Sequence, residues 1–191
     1  MKNLRAGVNR VREELEALAR EPVAEVTAER GTDAGGTGTR IVVGTEAALH
    51  RIHKADVVAF LDFDQELLAP RYRAAEEAMA LLVRAARVVG PRSGGGRVLV
   101  QTRQPHHEVL QGALLAEPTR VSDAEQERRQ LLGYPPAKAM AVVSGASAPA
   151  WIDSFVAPIG VEVLGPSDGQ WIVRAANHEL LCDALASVSR P

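Results

Sequence analysis

A single cysteine, Cys182, among 191 residues excludes an internal disulfide framework and any multi-cysteine zinc site built from this chain alone. No apolar run approaches the roughly 20 residues of a membrane span. The opening MKNLRAGVNRVREELEALAREP is charged throughout and lacks the apolar stretch of a secretory signal, so the sequence reads as cytoplasmic with no membrane partner. Aromatic residues are only 4% of the chain, and Tyr72, Tyr134, Trp151 and Trp171 stand apart, which argues against a stacking platform for single strands. Lysine is confined to Lys2, Lys54 and Lys138, leaving the basic side almost wholly to arginine, whose planar fork suits phosphate and carboxylate where it clusters. A formal net charge of -2 offers nucleic acid no overall attraction, so any such binding needs a local basic patch. What remains is ordinary globular material, 46% apolar and 24% charged, long enough for one large or two small domains.

Apolar residues at Val8, Val11, Leu15 and Leu18 predict an amphipathic helix ending before Pro22. A strand-like VAEVT follows, then a loop over Gly31 to Thr39, then Arg40 to Gly44, a β-branched run of the buried-strand kind. The run Val57 to Leu61 reads as a second buried strand, delivering Asp62 and Asp64 at its carboxyl end, where open α/β sheets place their chemistry. A long helix is expected over Pro70 to Val89, a turn at Gly94-Gly95-Gly96 and a strand from Arg97 to Thr102. Strands alternating with helices predict parallel pairing. From Pro105 the pattern turns helical: His107 to Ala116, then a helix opening at Ser122, where Ser122 and Glu125 fit a capping box. It is expected to stop at Gly133-Tyr134-Pro135-Pro136. Strands at Ala139 to Ser144, Val161 to Leu164 and Gln170 to Ala175, with helices at Ala148 to Val156 and His178 to Ser187, complete a small α+β module.

Signals for chemistry are sparse. A P-loop needs G-x-x-x-x-G-K-S/T, so that backbone amides and a lysine surround the phosphates. Gly35 to Thr39 lacks the lysine, and Gly94 to Gly96 precedes a strand where a helix is required. Asp62 and Asp64 offer two carboxylates for a metal, although a structural strand-end role asks less of them. His50 and His53 lie three apart and His106 and His107 are adjacent, which reads as surface histidine and not as a zinc triad. Cys182 is expected buried and inert beside Leu181 and Leu185.

Several segments, in order, resemble one family: primosomal protein N′, the bacterial replication-restart helicase. Gly7 to Leu15 (GVNRVREEL) looks like that family's G-T-E-R-x-E-E-x-L helix, and Ile41 to Glu46 (IVVGTE) like its motif V strand I-L-V-G-T-Q. VVAFLDFD at Val57 to Asp64 is similar to its V-x-L-V-x-V-L-D-A-D strand, and RYRAAE from Arg71 to Glu76 to the D-F-R-A-x-E-R that opens the motif VI helix. RVLVQT with Pro105, the ERRQLLGYPP run from Glu127 to Pro136, and Leu164-Gly165-Pro166 resemble three later elements. The resemblance implies a RecA-like second helicase lobe with a parallel sheet over residues 1–104, a helical connector over 105–136 and the family's small α+β C-terminal domain over 137–191. Gly44, Thr45, Glu46, Asp62, Asp64, Arg84 and Arg87 would then be a nucleotide-proximal remnant, with Tyr134, Pro135 and Pro136 an inter-domain anchor.

The departures bear on activity. Motif V should continue K-G-H-D-F, where this chain has Ala47 to His53 (AALHRIH). Motif VI should read Q-x-x-G-R-A-G-R; counting from Glu76, the glutamine position is Arg84 and the finger arginines fall on Val88 and Pro91. A cation on a transferring phosphate contributes several powers of ten in rate, so ATP-driven unwinding is expected to be lost. The family uses ATP with magnesium and a structural zinc through upstream regions that this sequence does not include, so no cofactor is expected here. The implied role is a motor-deficient scaffold of replication restart, with branched or single-stranded DNA, restart proteins and single-strand-binding protein as partners. The alternatives are a working helicase when joined to an upstream lobe, and an α/β interaction domain unrelated to DNA.

Overall fold

The computed structural model describes residues 3–27 and 39–187. The loop expected from Gly31 therefore lies outside the described residues up to Thr39. The architecture is mixed α/β and divides into two compact units, Met1–Val121 and Ser122–Pro191.

In the first unit α1 (Asn3–Ala19) packs on β1 (Val23–Val26), which pairs in parallel with β2 (Ile41–Gly44). Val11 and Leu15 are half-buried as the spacing predicts, whereas Leu18 is 81% exposed and lies off the packed face. Gly44 ends β2 for a steric reason. A Cβ there would stand 2.1 Å from the Val26 carbonyl oxygen and 2.9 Å from the Ala48 methyl, so only glycine lets β1 and α2 (Ala47–Arg51) come this close.

β3 (Val57–Phe60) pairs in parallel with β4 (Arg97–Val100), and between them the chain forms α3 (Asp64–Leu67) and α4 (Ala74–Val89). Ala75, Ala78, Met79 and Leu82 recur at three- and four-residue spacing on α4 and are buried with Phe63, Leu67, Val109, Leu110 and Val121. α5 (Glu108–Leu114) packs on α4, and the first turn of α6 (Thr119–Leu132) adds Val121. α4 begins four residues later than Pro70, because Arg73 has non-helical φ −117° and ψ 23° and residues 70–73 form a turn.

Parallel pairing is present, but the described strands form two separate two-stranded ladders and not one continuous sheet. Nor are β3 and β4 buried on both faces. Val57, Leu61 and Leu99 are 50%, 52% and 54% exposed, because among the described residues the helices cover only the side toward Phe60, Val98 and Val100.

α6 opens at Thr119, directly after Pro118, so Ser122 is an interior residue and not a cap. Burial of Val121 draws the first turn into the helix, and Glu125, 7% exposed, bonds Arg128 and Arg129 along the same helix. The helix ends where the sequence indicates. The Tyr134 amide donates to the Arg129 carbonyl at 2.8 Å and the Gly133 amide to that of Gln130 at 3.2 Å, with Gly133 left-handed, which is the Schellman pattern.

The rest of the second unit is an antiparallel sheet in the order β5 (Ala139–Ser144), β7 (Gln170–Ala175), β6 (Val161–Ser167), with α7 (Ala148–Ser154) and α8 (His178–Ala186). Ala139, Val173, Ala175 and Val161 share one face and pack with Phe155, Leu181 and Ala184. Trp151 is not isolated: its ring stacks on Phe155 with centroids 5.0 Å apart. The β6–β7 turn is tighter than expected, since Ser167 pairs with Gln170 and Asp168-Gly169 alone turns the chain, both at positive φ. Cys182 is exposed, a correction to the expected burial: Leu181 and Ala184 face the core, and one residue further turns the thiol outward.

Phe63, 1% exposed at the centre of the first unit's core, sets a measurable expectation. Phe63→Ala should cost about 3–5 kcal/mol, read as a lower urea midpoint in far-UV circular dichroism; a change below about 1 kcal/mol would show that the core is not closed around this ring.

Candidate functional site

The residues singled out from the sequence fall in four places. Gly44, Thr45 and Glu46 form the link from β2 into α2, where the Thr45 amide donates to the Val26 carbonyl and the Thr45 carbonyl accepts from the Ala48 amide. They are occupied in turning the chain. Glu46 continues into α2, and its carboxylate lies 3.8 Å from His50 Nε2, one helical turn on.

Asp62 and Asp64 stand at the carboxyl end of β3, as expected, with divergent partners. Asp62 accepts from the Gln65 amide at 2.5 Å. Asp64 accepts from the Thr102 hydroxyl at 2.5 Å and from the Arg103 backbone amide at 3.0 Å. It thereby ties the end of β3 to the chain leaving β4. Those bonds, the hydroxyl first and the backbone amide second, hold the Asp64 carboxyl below the ordinary aspartate range. The Thr102 hydroxyl in turn accepts from the Gln104 amide at 2.8 Å, extending the tie by one more link. Among the described residues no three His, Cys, Asp or Glu side chains gather as a metal site.

Arg84 and Arg87 lie one turn apart on α4, opposite the residue run that follows β2. Arg84 donates to His50 Nδ1 at 2.9 Å. A guanidinium only donates, so Nδ1 must accept and the imidazole proton rests on Nε2, facing Glu46. Between α4 and the end of α2 is a cleft of about 290 Å³ lined by Leu49, His50, Ile52, His53, Arg84, Arg87 and Val88. It is an open, mostly polar depression in which Leu49, Ile52 and Val88 lie beside two histidines and two permanent positive charges. Neither Arg87 nor His53 has a hydrogen-bond or ion-pair partner among the described residues. Among the described residues that line the cleft there is no hydroxyl, thiol, amine or carboxylate.

His50 and His53 are thus site residues that the sequence reading left on the surface. Their three-residue spacing was visible, but the arginine that meets His50 is 34 positions away, and only the packing of α2 on α4 brings the two together. His107 is not a bare surface histidine either, since its Nδ1 accepts from the Val109 amide at 3.3 Å and caps α5.

Tyr134, Pro135 and Pro136 lie inside the second unit, because the division between units falls at Val121–Ser122 within α6. The Tyr134 carbonyl accepts from the Ala137 and Lys138 amides, turning the chain from α6 into β5. That turn is held from the sheet: Arg174 donates to the Leu132 carbonyl at 3.3 Å and to Glu162 at 2.5 Å, and with Lys138 it holds the Glu162 carboxyl below its ordinary range. Trp171 shares a strand with Arg174 but has opposite parity, so the two side chains leave the sheet on different faces. The sequence matches no model of a known protein family.

Asp64 gives a pH-dependent expectation with a definite sign. Its bonds favour the ionised form, so their contribution is complete above the unfolded aspartate pKa, declines as pH falls below it and is gone beneath the lowered folded value. Asp64→Asn should therefore destabilise at neutral pH and make thermal unfolding less sensitive to acid over that interval. Parallel acid profiles for the two proteins would show that the carboxylate is not held by Thr102 and Arg103.

Proposed function

We propose that this chain is a DNA-contacting scaffold of replication restart, related in fold to primosomal protein N′ and deficient as a motor. In this reading residues 1–104 correspond to a RecA-like second lobe, 105–136 to a helical connector and 137–191 to the family's C-terminal domain, working in the cytoplasm with branched or single-stranded DNA, restart proteins and single-strand-binding protein. The observation that carries the motor-deficient part is the state of the two finger positions. Val88 is 8% exposed on the inner side of α4, and Pro91 precedes a 3-10 turn at Arg92–Gly94. Neither position can present a cation to a phosphate, and neither can acquire one by rotating a side chain. Asp64, one of the three carboxylates of the nucleotide-proximal remnant, is already bonded to Thr102 and Arg103.

The scaffold part is supported by where positive charge is left unanswered. In a chain of net charge -2, Arg84 and Arg87 form a local cationic edge of the kind that DNA contact requires.

Forked DNA is expected to bind weakly, with the logarithm of affinity falling against log salt at a slope of about -0.7 to -0.9 per phosphate neutralised. No ATP turnover above background should accompany binding. DNA-stimulated hydrolysis abolished by Arg84→Ala or Arg87→Ala would overturn the motor-deficient reading in favour of an active helicase, and failure to bind any fork at low ionic strength would overturn the scaffold.

A further inference from the structure

We propose that the cleft between α4 and residues 49–53 is a phosphate-binding site, in which Arg84 and Arg87 supply the charge and His50 and His53 close the rim. The ligand chemistry is the phosphate of a nucleotide or of a nucleic-acid strand. This goes beyond the scaffold reading and stands on the cleft's own geometry; it joins that reading only where the phosphate belongs to DNA.

The first argument is the contrast between these arginines and others of the same unit. Arg71 meets Glu66 and Glu77, and Arg73 meets Glu76. Such exposed pairs contribute little stability, but they do neutralise the local field. Arg84 is met by a neutral imidazole nitrogen, and Arg87 has no partner among the described residues. Two guanidiniums three residues apart on one helix are neighbours, near enough to share one oxyanion.

His50 adds orientation. By accepting at Nδ1 it fixes one donor of Arg84 and leaves the guanidinium's other N–H groups directed elsewhere, so the side chain is partly ordered before a ligand arrives. The Glu46 carboxylate, just outside the lining, faces the opposite nitrogen of the same ring at 3.8 Å and pairs with neither arginine. His53 also lines the cleft and has no partner among the described residues, so its ring is left to meet a ligand.

Size and polarity narrow the ligand. At about 290 Å³ the cleft is at the small end of ligand sites, which run from roughly 300 to 1,000 Å³, and it suits a phosphate with a short body and not a whole dinucleotide. The exposed lining is mostly polar and open to water, which suits a charged, hydrated group better than an apolar body. One feature opposes an anion: Arg87 is in the last turn of α4, where helix carbonyls carry about half a negative charge. Two whole positive charges outweigh that half charge.

The test is a titration of inorganic phosphate into the full chain at constant ionic strength with chloride as the counter-series. Imidazole and arginine side-chain resonances provide the readout. Saturable shifts at His50, His53, Arg84 and Arg87, with His106 unmoved, are expected, and Arg84→Gln/Arg87→Gln should weaken phosphate at least about tenfold. Both arginines are solvent-exposed, so the double variant should keep its thermal midpoint; if it does not fold, Arg87→Glu alone replaces it and should also weaken phosphate. A short deoxyoligonucleotide with and without a 5′-phosphate separates the sources: tighter binding of the phosphorylated strand identifies a terminal phosphate, and equal binding identifies the strand's backbone. Equal phosphate affinity in wild type and variant, or shifts at His106 as large as those at His50 and His53, would overturn the site. Wild type that binds phosphate here but no forked DNA removes the scaffold reading and leaves the site. Forks bound equally by wild type and variant, with phosphate lost, support the site and remove Arg84 and Arg87 as the scaffold's DNA contact.

Discussion

Because Ala75, Ala78, Met79 and Leu82 must leave water together, α4 has one orientation in which it can lie against β3 and β4, and that orientation decides where its other residues go. Ala85 and Val88 continue the buried face, and Arg84 and Arg87, each one residue before them, are carried to its border and beyond. The same placement brings α2 alongside, with Leu49 packed against the core. The cationic cleft is therefore a by-product of core packing. Its residues are aimed by alanines and a methionine that never touch it.

How much of this could be read from sequence depended on whether the signal was local. The apolar periodicity of α4, the β-branched runs of β2 and β3, and the Gly133 stop of α6 each involve neighbours in the chain, and each is found in the structure. Failures came where a second element decides. Ser122 and Glu125 have the spacing of a capping box, but Val121 is drawn into the core and Pro118 permits an earlier start, so tertiary burial overrides the local motif. Val57 and Leu61 look like buried-strand residues because composition records apolarity, whereas coverage depends on a further layer that the described residues do not supply. Cys182 was misread by one position on α8, which is a rotation of about 100° and enough to exchange core for solvent.

The candidate site was half legible for the same reason. Arg84 and Arg87 stand out from the resemblance of one helix, but nothing near His50 in sequence needs an imidazole, so its spacing from His53 alone does not mark it. Asp64 shows the converse. Its position at a strand end invites a functional reading, yet its oxygens are committed to Thr102 and Arg103, 38 and 39 residues on. A carboxylate that accepts from a hydroxyl and a backbone amide is being used to hold two strand ends together.

Net charge conceals what these contacts reveal. The balance of 22 basic against 24 acidic residues predicts indifference to polyanions, but it averages over arginines whose charge is already answered by glutamate and arginines whose charge is not. Arg174 belongs to the first kind: Glu162 and the Leu132 carbonyl use it to fasten the end of α6 to the sheet, and removing its charge would loosen structure before it altered any ligand. Arg87 belongs to the second, since α4 is formed and buried without it. An arginine with no partner among the described residues, one helical turn from an imidazole-oriented one, keeps its electrostatic capacity for something outside the chain.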